Sequence, residues 1–319
     1  MRERDFIARL RRKARSPAAR GLLDDVALLD GLVLTHDTIA EGVHYLPKDP
    51  PASVGWKLMA VNLSDLAAKG ARPAGALLSL TICGDGEWES LFLDGVEAAA
   101  ETYGLPLIGG DTIALRPGSP RVLGLTAIGR AGPNMPHRSG AQHGDLLWAV
   151  GTIGDSSAGL ARLQADPRAT GVLVDIYRRP MPLLAAGQVI APHARASMDV
   201  SDGLLLDAWR MAEASGRGLA IDIDAVPLSA AFVTERGSGI DARLFAAAGG
   251  DDYALLFALR PEFDPFTLSL PSGTTMTRIG TFVEASVGLT LTSEGRPIPL
   301  PETLGYEHRN FASPMGDRP

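Results

Sequence analysis

Six short segments of the sequence place one or two aspartates at or near the end of an apolar stretch, and in five of them glycine, serine or threonine is adjacent. They are Asp24-Asp25, Asp37-Thr38, Ser64-Asp65, Gly109-Gly110-Asp111-Thr112, Asp199-Val200-Ser201-Asp202-Gly203 and Gly249-Gly250-Asp251-Asp252. Mg²⁺ takes oxygen ligands and is commonly bound by one or two carboxylates together with substrate phosphates. Glycines next to these acids would let the backbone approach a phosphate closely. The set therefore indicates a site for metal ions and a polyphosphate.

Each segment taken alone also has an ordinary structural interpretation, because an aspartate before glycine is common in turns and caps. Other chemistries are less well represented: the sequence has no G-x-x-x-x-G-K-[ST] phosphate loop and no C-x-x-C pair. Cys83 has no histidine near it in the sequence, so we interpret it as an ordinary thiol. His36 and His44 flank Asp37 and could contribute to the site.

The acids must be positioned by regular elements, and the clearest of these is a helix predicted from residue 53 to residue 70. Ser53 is a plausible N-cap and Gly70 a plausible C-terminal glycine. The helix is mostly apolar and should be buried on most faces, yet Asn62, Asp65 and Lys69 fall on one stripe. Asp65 either pairs with Lys69 on a solvated strip or is a buried carboxylate that needs another partner, such as a metal.

The rest of the chain alternates strands and helices, which is typical of an α/β fold. The Asp30-Gly31 turn predicts a hairpin between strands over residues 26–29 and 32–35. A helix is predicted over residues 87–103 from the spacing of its apolar residues. A short buried strand is predicted over residues 105–108, directly before the glycine-acid segment at 109–112.

Length and composition are consistent with two domains of ordinary size. The chain has 319 residues, of which 45% are hydrophobic, enough for a sizeable core. The stretch over residues 131–145 is rich in glycine and proline. It predicts a boundary between an N-terminal α/β domain, residues 1–135, and a C-terminal α/β domain, residues 136–319.

Charge and cysteine content argue against several classes of partner. The net charge is −7, and eight of the 30 lysines and arginines lie in the first 20 residues, so the remainder is strongly acidic and a poor surface for nucleic acid. The single cysteine permits no intrachain disulfide, and we expect a reducing compartment, the cytoplasm. No apolar run approaches the ~18 residues of a membrane span, so no membrane partner is expected.

Taken together, the segments resemble the thiamine-monophosphate kinase family, within the superfamily typified by aminoimidazole ribonucleotide synthetase. The resemblance runs in family order from residue 5 to about residue 311. It rests on Asp24-Asp25, Asp37-Thr38, Glu41-Gly42-Val43-His44, residues 61–68 (VNLSDLAA), 108–112 (IGGDT), 138–141 (RSGA), Gly144-Asp145, 151–159, 199–203 (DVSDG) and 249–253 (GGDDY). The motifs are weak singly and specific as a set. The resemblance implies two α/β domains, of which the N-terminal one carries a homodimer interface.

The resemblance also implies an enzyme that transfers the γ-phosphoryl group of ATP to thiamine monophosphate, with several Mg²⁺ ions. The implied metal ligands are Asp25, His36, Asp37, Asp65, Asp111, Asp199 and Asp202. The implied ATP contacts are Tyr103, Gly110, Asp111, Arg138 and Ser201. The implied substrate contacts are His44, Asp251 and a C-terminal aromatic residue, Tyr306 or Phe311. No catalytic residue is implied beyond the metal ligands and Arg138.

Four positions depart from the family pattern. Leu23 replaces a glycine before the acidic pair, and Lys69 replaces a methionine. His36 replaces a threonine, so a hydroxyl ligand is lost or only the backbone carbonyl serves. Asp251 replaces a glutamate that contacts the substrate and is one methylene shorter, which affects substrate placement more than phosphate chemistry.

Two alternative functions fit parts of the sequence. One is another ATP-dependent enzyme of the same superfamily, such as a selenophosphate synthetase, although that family typically has a reactive Cys or selenocysteine near its N-terminus, and this sequence has none there. The other is a non-catalytic nucleotide-binding scaffold. ADP release in the presence of thiamine monophosphate, thiamine or no acceptor would separate them.

Overall fold

The computed structural model of the protein describes residues 3–84 and 86–307. Its α-helices there are α1 (Glu3–Arg11), α2 (Pro51–Ala68), α3 (Glu87–Tyr103), α4 (Asp155–Ala165), α5 (Val172–Arg178), α6 (Leu184–Ile190), α7 (Leu204–Ala214), α8 (Ala230–Arg236) and α9 (Ile240–Ala248). Its strands there are β1 (Ala27–Leu29), β2 (Leu32–Ala40), β3 (Arg72–Ile82), β4 (Leu107–Ala114), β5 (Val122–Arg130), β6 (Leu146–Val150), β7 (Ala196–Asp199), β8 (Gly218–Asp222), β9 (Leu255–Leu259), β10 (Met276–Val283), β11 (Leu289–Ser293) and β12 (Arg296–Ile298). Mixed helix and sheet content confirms the α/β class.

The N-terminal half forms a five-stranded mixed sheet in the order β1-β2-β5-β3-β4. The predicted hairpin is confirmed, since β1 pairs antiparallel with β2 from Leu29↔Leu32 outward. Asp30 and Gly31 in the turn have φ angles of +49° and +79°, as a two-residue hairpin turn requires. Strand β2 extends to Ala40 and therefore carries His36 and Asp37 within the sheet.

The C-terminal half forms a seven-stranded mixed sheet in the order β12-β11-β8-β10-β6-β9-β7. Strand β7 lies at one edge, and the segment from Val200 to Gly203 joins it to α7. The backbone of this segment pairs with the segment after α9, because Asp251 and Tyr253 donate N–H groups to the carbonyls of Ser201 and Val200 at 2.8 Å each. Two of the predicted glycine-acid segments are therefore neighbours.

Helix α2 lies between the two sheets. It contacts β2 and β5 of the first sheet and β7 and β9 of the second. Every residue from Val54 to Ala68 is buried. Helix α6 packs closely on it, because a Cβ added at Gly187 would lie 1.9 Å from the carbonyl oxygen of Ala67. One hydrophobic cluster consequently runs through α2 from the N-terminal half into the C-terminal half.

The predicted start of α2 is wrong and its predicted end is right. The helix begins at Pro51 after Pro50, and no side-chain cap bond forms at that end. Proline is favoured in the first turn, where its missing N–H group has no intrahelical partner. Gly70, with φ +62°, follows the last turn as expected. The predicted helix over residues 87–103 coincides with α3.

The short buried strand predicted over residues 105–108 is also wrong. Strand β4 instead runs from Leu107 to Ala114, pairs with β3 at the edge of the described sheet, and is exposed at every residue. Its apolar residues suggested a core strand because hydrophobic pattern alone does not distinguish a core from a surface that another chain covers. Within the described residues, no helix combines the length and apolar character needed to cross a membrane.

Candidate active site

Three predicted metal ligands come together where the two halves of the molecule meet. Carboxylate oxygens of Asp25, Asp65 and Asp199 all lie within 4.8 Å of one another. Asp25 precedes β1, Asp65 lies in the last turn of α2, and Asp199 ends β7. These residues are far apart in sequence, and the packing of α2 against both sheets brings them to one place.

The acids of this cluster raise one another's pKa values. Burial is the largest cause for Asp65, whose pKa lies well above its ordinary value, and the charges of Asp37 and Asp199 add to it. Burial likewise raises the pKa of Asp199, with Asp25 as the next cause. The pKa of Asp37 rises to about 6, again mainly through burial. A bound cation would relieve this repulsion.

The donor set fits a hard divalent cation such as Mg²⁺. Its atoms are carboxylate oxygens, which Mg²⁺ prefers. Among the described residues, neither Asp65 nor Asp199 forms an ion pair with a basic side chain. The hydroxyl of Thr35 donates a short hydrogen bond to Asp65 Oδ2, which fixes the orientation of that carboxylate.

Asp25 differs from the other two acids because basic side chains already compensate it. Arg138 forms a close ion pair with Asp25 Oδ1, and Lys69 Nζ lies 2.6 Å from Asp25 Oδ2. Burial alone would raise the pKa of Asp25, but Arg138 and Lys69 outweigh burial and hold that pKa well below its usual range. Lys69 also lies 2.7 Å from Asp24 Oδ1, so it pairs with this acidic segment and the local Asp65–Lys69 pair is not the arrangement adopted.

The segment after β7 is held by a carboxylate that the sequence analysis did not single out. Asp207 in the first turn of α7 accepts hydrogen bonds from the N–H groups of Ser201, Asp202 and Gly203 at 2.9–3.2 Å. Arg210 forms ion pairs with both Asp202 and Asp207. Burial, followed by the charge of Asp202, raises the pKa of Asp207 to about 6. This network fixes the predicted ligands Ser201 and Asp202.

A second set of polar side chains contacts the predicted substrate residue Asp251. Lys57 Nζ lies 2.8 Å from Asp251 Oδ2 and donates to the carbonyl of His44 at 3.0 Å. The hydroxyl of Tyr253 donates to Asp251 Oδ1 at 2.9 Å. Asp251 and Tyr253 have φ angles of +69° and +52°, a strained conformation for such residues that is concentrated at functional sites. The predicted substrate residues His44 and Asp251 therefore share one buried partner, Lys57.

The side chain of His36 lies on the face of the first sheet opposite to the acids. Its Nδ1 is 2.9 Å from Thr126 Oγ1, and its Nε2 is 3.3 Å from Thr38 Oγ1. Successive residues of a strand alternate between faces, so Asp37 points toward α2, where its N–H donates to Asn62. Only the backbone carbonyl of His36 remains available as the predicted metal ligand.

Three predicted nucleotide contacts lie away from the cluster in this chain. Asp37 is in register with Leu125, Leu78 and Gly110 on successive strands. Gly110 and the adjacent Asp111 are therefore three strand spacings, or about 14 Å, from Asp37. Tyr103 ends α3 and packs edge-on against Trp56 with a ring separation of 5.6 Å. It lines a cavity of about 390 Å³ that none of the clustered acids lines.

Of the two C-terminal aromatic residues predicted to contact the substrate, the structure describes Tyr306. The N–H group of Tyr306 donates to the carbonyl of Asp202 at 2.8 Å, which places this residue beside the segment that follows β7. Gly305 makes the approach possible, since a Cβ there would lie 2.5 Å from the same carbonyl oxygen. Phe311 lies outside the described residues.

The sequence analysis missed Lys57, Thr35 and Asp207 as members of these networks. A signal was present for Lys57, because a lysine inside an otherwise apolar helix needs a buried partner. Asp207 carried no recognised signal, because it is the fourth residue of α7 and capping side chains are expected at the N-cap or the third position. Thr35 carried no signal beyond its place in a strand.

Comparison with known proteins follows the same division of the chain. Residues 23–131 match the family described as AIR synthase related protein, N-terminal domain. Residues 142–291 match the family described as AIR synthase related protein, C-terminal domain.

Individual relatives match nearly the whole chain. The thiamine-monophosphate kinase of Salmonella typhimurium is 37% identical over 317 residues, which cover 95% of each protein. That of Caulobacter vibrioides is 36% identical over 323 residues, which cover 96% of this chain and 90% of the relative. The solved structure described as "AaThiL complexed with AMPPCP and TMP" has a TM-score of 0.83 and 31% identity, with 97% of each chain covered.

Proposed function

The chain belongs to the thiamine-monophosphate kinase family, and on this premise we propose that it transfers the γ-phosphoryl group of ATP to thiamine monophosphate, forming thiamine diphosphate. One observation carries the proposal: acids from both halves of the chain converge at a single place. A reaction that joins two phosphates must bring anions together, and such a cluster can hold the cations that this requires.

We propose that several Mg²⁺ ions are held by Asp25, Asp37, Asp65, Asp199 and Asp202. When bound, Mg²⁺ would neutralise charge on the phosphate oxygens and so lower the repulsion between donor and acceptor. The fit of the donor atoms and the lack of basic partners for Asp65 and Asp199 among the described residues support this assignment. Affinity for ATP is then expected to depend on Mg²⁺, and equal affinity in excess EDTA, measured by calorimetry, would contradict it.

The chain's own residues orient the phosphates. Arg138 lies against Asp25 and has a guanidinium group with five N–H donors, of which those not used by Asp25 can bind a phosphate oxygen. Ser201 is held beside Asp202 by Asp207. No general base is needed, because the second pKa of a phosphate monoester is near 6 and the acceptor is mostly dianionic at neutral pH.

The acceptor is proposed to lie next to His44 and Asp251. Lys57 lies on a buried helix and contacts both the carboxylate of Asp251 and the backbone carbonyl of His44. Both groups are therefore held in fixed positions. Tyr306 donates a backbone hydrogen bond to Asp202, which places it beside that segment, and it is the proposed aromatic cover on this side.

We propose that the enzyme is a homodimer that pairs through β4. This edge strand presents unpaired backbone groups together with exposed Leu107, Ile108 and Ile113, of which Ile108 is 60% exposed. A long exposed apolar edge is a template for pairing with another strand and is usually covered in a stable protein. A second copy of the same chain is the simplest cover.

Dimerisation would also give a role to Gly110 and Asp111. They are about 14 Å from Asp37 in their own subunit, so they are too distant to bind the same metal ion there. We propose that they act in the site of the partner subunit. Tyr103 is retained as a proposed nucleotide contact.

The proposal also includes a domain boundary and a cellular location. We retain the domain division at 135/136, which falls between the last strand of the first sheet and the first strand of the second. We propose a cytoplasmic location, because ATP is the donor and the chain has a single, buried cysteine. That burial also gives no support to a selenophosphate synthetase, which would need a reactive thiol or selenol.

The decisive experiment measures ADP release from ATP and Mg²⁺ with three acceptors: thiamine monophosphate, thiamine and none. We expect thiamine monophosphate alone to stimulate release and to be converted to thiamine diphosphate. Equal release with no acceptor, or preference for thiamine, would contradict the proposal. Nucleotide binding without any release would favour the non-catalytic scaffold.

A further inference from the structure

We propose that the ammonium group of Lys69 permanently occupies a cation position within the acidic cluster, so that this chain binds one fewer divalent ion than its carboxylates could hold. The proposal rests on the kinase function and its Mg²⁺ requirement proposed above. It concerns which part of the cluster the metal uses and how the metal-free protein remains folded.

The contacts of Lys69 are those of a small bound cation. Its Nζ lies 2.7 Å from Asp24 Oδ1, 2.6 Å from Asp25 Oδ2 and 2.7 Å from the carbonyl oxygen of Ser197. All three are oxygen atoms, and two of them are carboxylates. The lysine side chain has no exposed surface, and the carboxylates it joins are 0% and 2% exposed. The ammonium group is thus enclosed by oxygens contributed from both halves of the molecule.

Basic residues are distributed unequally over the cluster. Asp24 pairs with Arg20 as well as Lys69, and Asp25 pairs with Arg138 as well as Lys69. On the other side, neither Asp65 nor Asp199 has a basic partner among the described residues. The cluster is therefore divided into a part compensated by protein cations and a part that is not.

This division indicates where a metal binds. An ion placed among Asp65, Asp199 and the nearby Asp37 meets carboxylates that lack compensation. An ion placed between Asp24 and Asp25 would have to displace Lys69, which is anchored at the end of the buried helix α2. Both carboxyl oxygens of Asp25 already contact basic groups, so Asp25 adds little further attraction for a second ion.

The test replaces Lys69 with a neutral residue of similar length, Lys69→Met, and counts bound ions. Mg²⁺ is titrated by equilibrium dialysis into metal-free protein, first alone and then with a nonhydrolysable ATP analogue. We expect the variant to bind one more Mg²⁺ per subunit than the wild type. An unchanged number of ions would overturn the proposal. Lys57→Met is the matched control, because it removes a buried lysine from the same helix away from the cluster, and it should leave the number unchanged.

Thermal unfolding provides a second readout that does not depend on activity. Without Lys69, metal-free protein retains two buried carboxylates with less compensation, so its Tm in EDTA should fall. Mg²⁺ should then raise the Tm of the variant by more than it raises that of the wild type. Equal shifts in the two proteins would contradict the proposal.

The outcome remains informative if the variant does not fold without metal. Denatured Lys69→Met is then diluted into buffer with and without Mg²⁺. Recovery of folded protein only with Mg²⁺ supports the proposal, whereas failure in both buffers contradicts it, because a divalent ion could not replace the lysine. Turnover of the wild type with thiamine monophosphate tests the proposed function separately, so the two proposals can fail independently.

Discussion

Lys57 in the first domain is buried and forms an ion pair with the partly exposed Asp251 in the second, with Nζ 2.8 Å from Oδ2. The same ammonium group lies 4.2 Å from the ring centre of Tyr177 and donates to the backbone of His44. Lys57 therefore connects the residues proposed to hold the acceptor to the helix that carries Asp65.

Replacing Lys57 with methionine should weaken acceptor binding more than it slows the chemical step. Breaking a fully buried ion pair costs about 3–5 kcal/mol. The cost is smaller here because the Asp251 side chain is 27% exposed, and we expect this carboxylate to move toward water once Lys57 is removed. We expect KM for thiamine monophosphate to rise about tenfold or more, with a smaller change in KM for ATP. Steady-state kinetics with each substrate varied in turn measures this. The exposed Lys48→Met serves as control, and an unchanged KM in Lys57→Met would rule out the assigned role.

Replacing Asp65 with asparagine should remove most turnover without unfolding the protein. The substitution removes a carboxylate that lies within 4.8 Å of two others, and it also removes a like-charge repulsion. We expect kcat to fall by roughly 10²–10³, comparable to the loss of one preorganised electrostatic group in other enzymes. Turnover and circular dichroism are measured together, with the exposed Asp94→Asn as control. Near wild-type turnover would contradict the assignment of Asp65.

The metal-free protein should lose stability as the pH rises. Asp37 has a pKa of about 6 in the folded chain, against an ordinary value of 3.8 for an aspartate, so between these pH values the folded state retains a proton that the unfolded state has lost. The free energy of unfolding therefore falls as pH rises from about 4 through about 6, and the raised pKa values of Asp65 and Asp199 extend the fall upward.

Chemical denaturation in EDTA at a series of pH values measures this dependence. Excess Mg²⁺ should flatten it, because a bound cation favours the ionised carboxylates in the folded state. Comparison of the two series at each pH separates the cluster from other titrating groups. A metal-free protein that gains stability over this range would show that the acids are compensated by other means.

A charge placed on β4 should separate the proposed dimer. Ile108→Lys adds a cation to an exposed apolar edge strand, which is a recognised obstacle to strand pairing. We expect sedimentation analysis to find monomers, and turnover to fall if Gly110 and Asp111 act in the partner's site. Val172→Lys, at an exposed apolar position of the C-terminal half, is the control and should leave the assembly unchanged. A monomeric wild type, or a dimeric Ile108→Lys, would contradict the proposed interface.

Local pattern was sufficient for some elements and insufficient for others. The extent of α3 and the Asp30-Gly31 hairpin follow from apolar spacing and turn chemistry over a few residues. The partners of Lys69 did not follow, because a lysine four residues after Asp65 satisfies the local pairing rule equally well. Its actual partner Asp24 is 45 positions earlier, and that contact depends on how the domains pack.

The exposed strand β4 and the orientation of His36 were also beyond local reasoning. The sequence pattern of an apolar strand is the same whether the strand is covered by the core of its own chain or by another chain. Which face His36 occupies depends on the register of β2 against β5, which pairs it with Thr126. The family resemblance identified which acids form the site, whereas the distances between them could be obtained only from the folded structure.

Helix α2 carries Lys57 and Asp65 eight residues apart, a distance of about 12 Å along its axis. Since the helix is enclosed by both sheets from Val54 to Ala68, neither end can shift without the other. The helix therefore fixes the distance between Lys57, proposed to hold the residues that contact the acceptor, and Asp65, proposed to bind the metal at its phosphate. We expect analogues whose phosphate is attached through a longer or shorter linker to be rejected on length alone, however well each end fits.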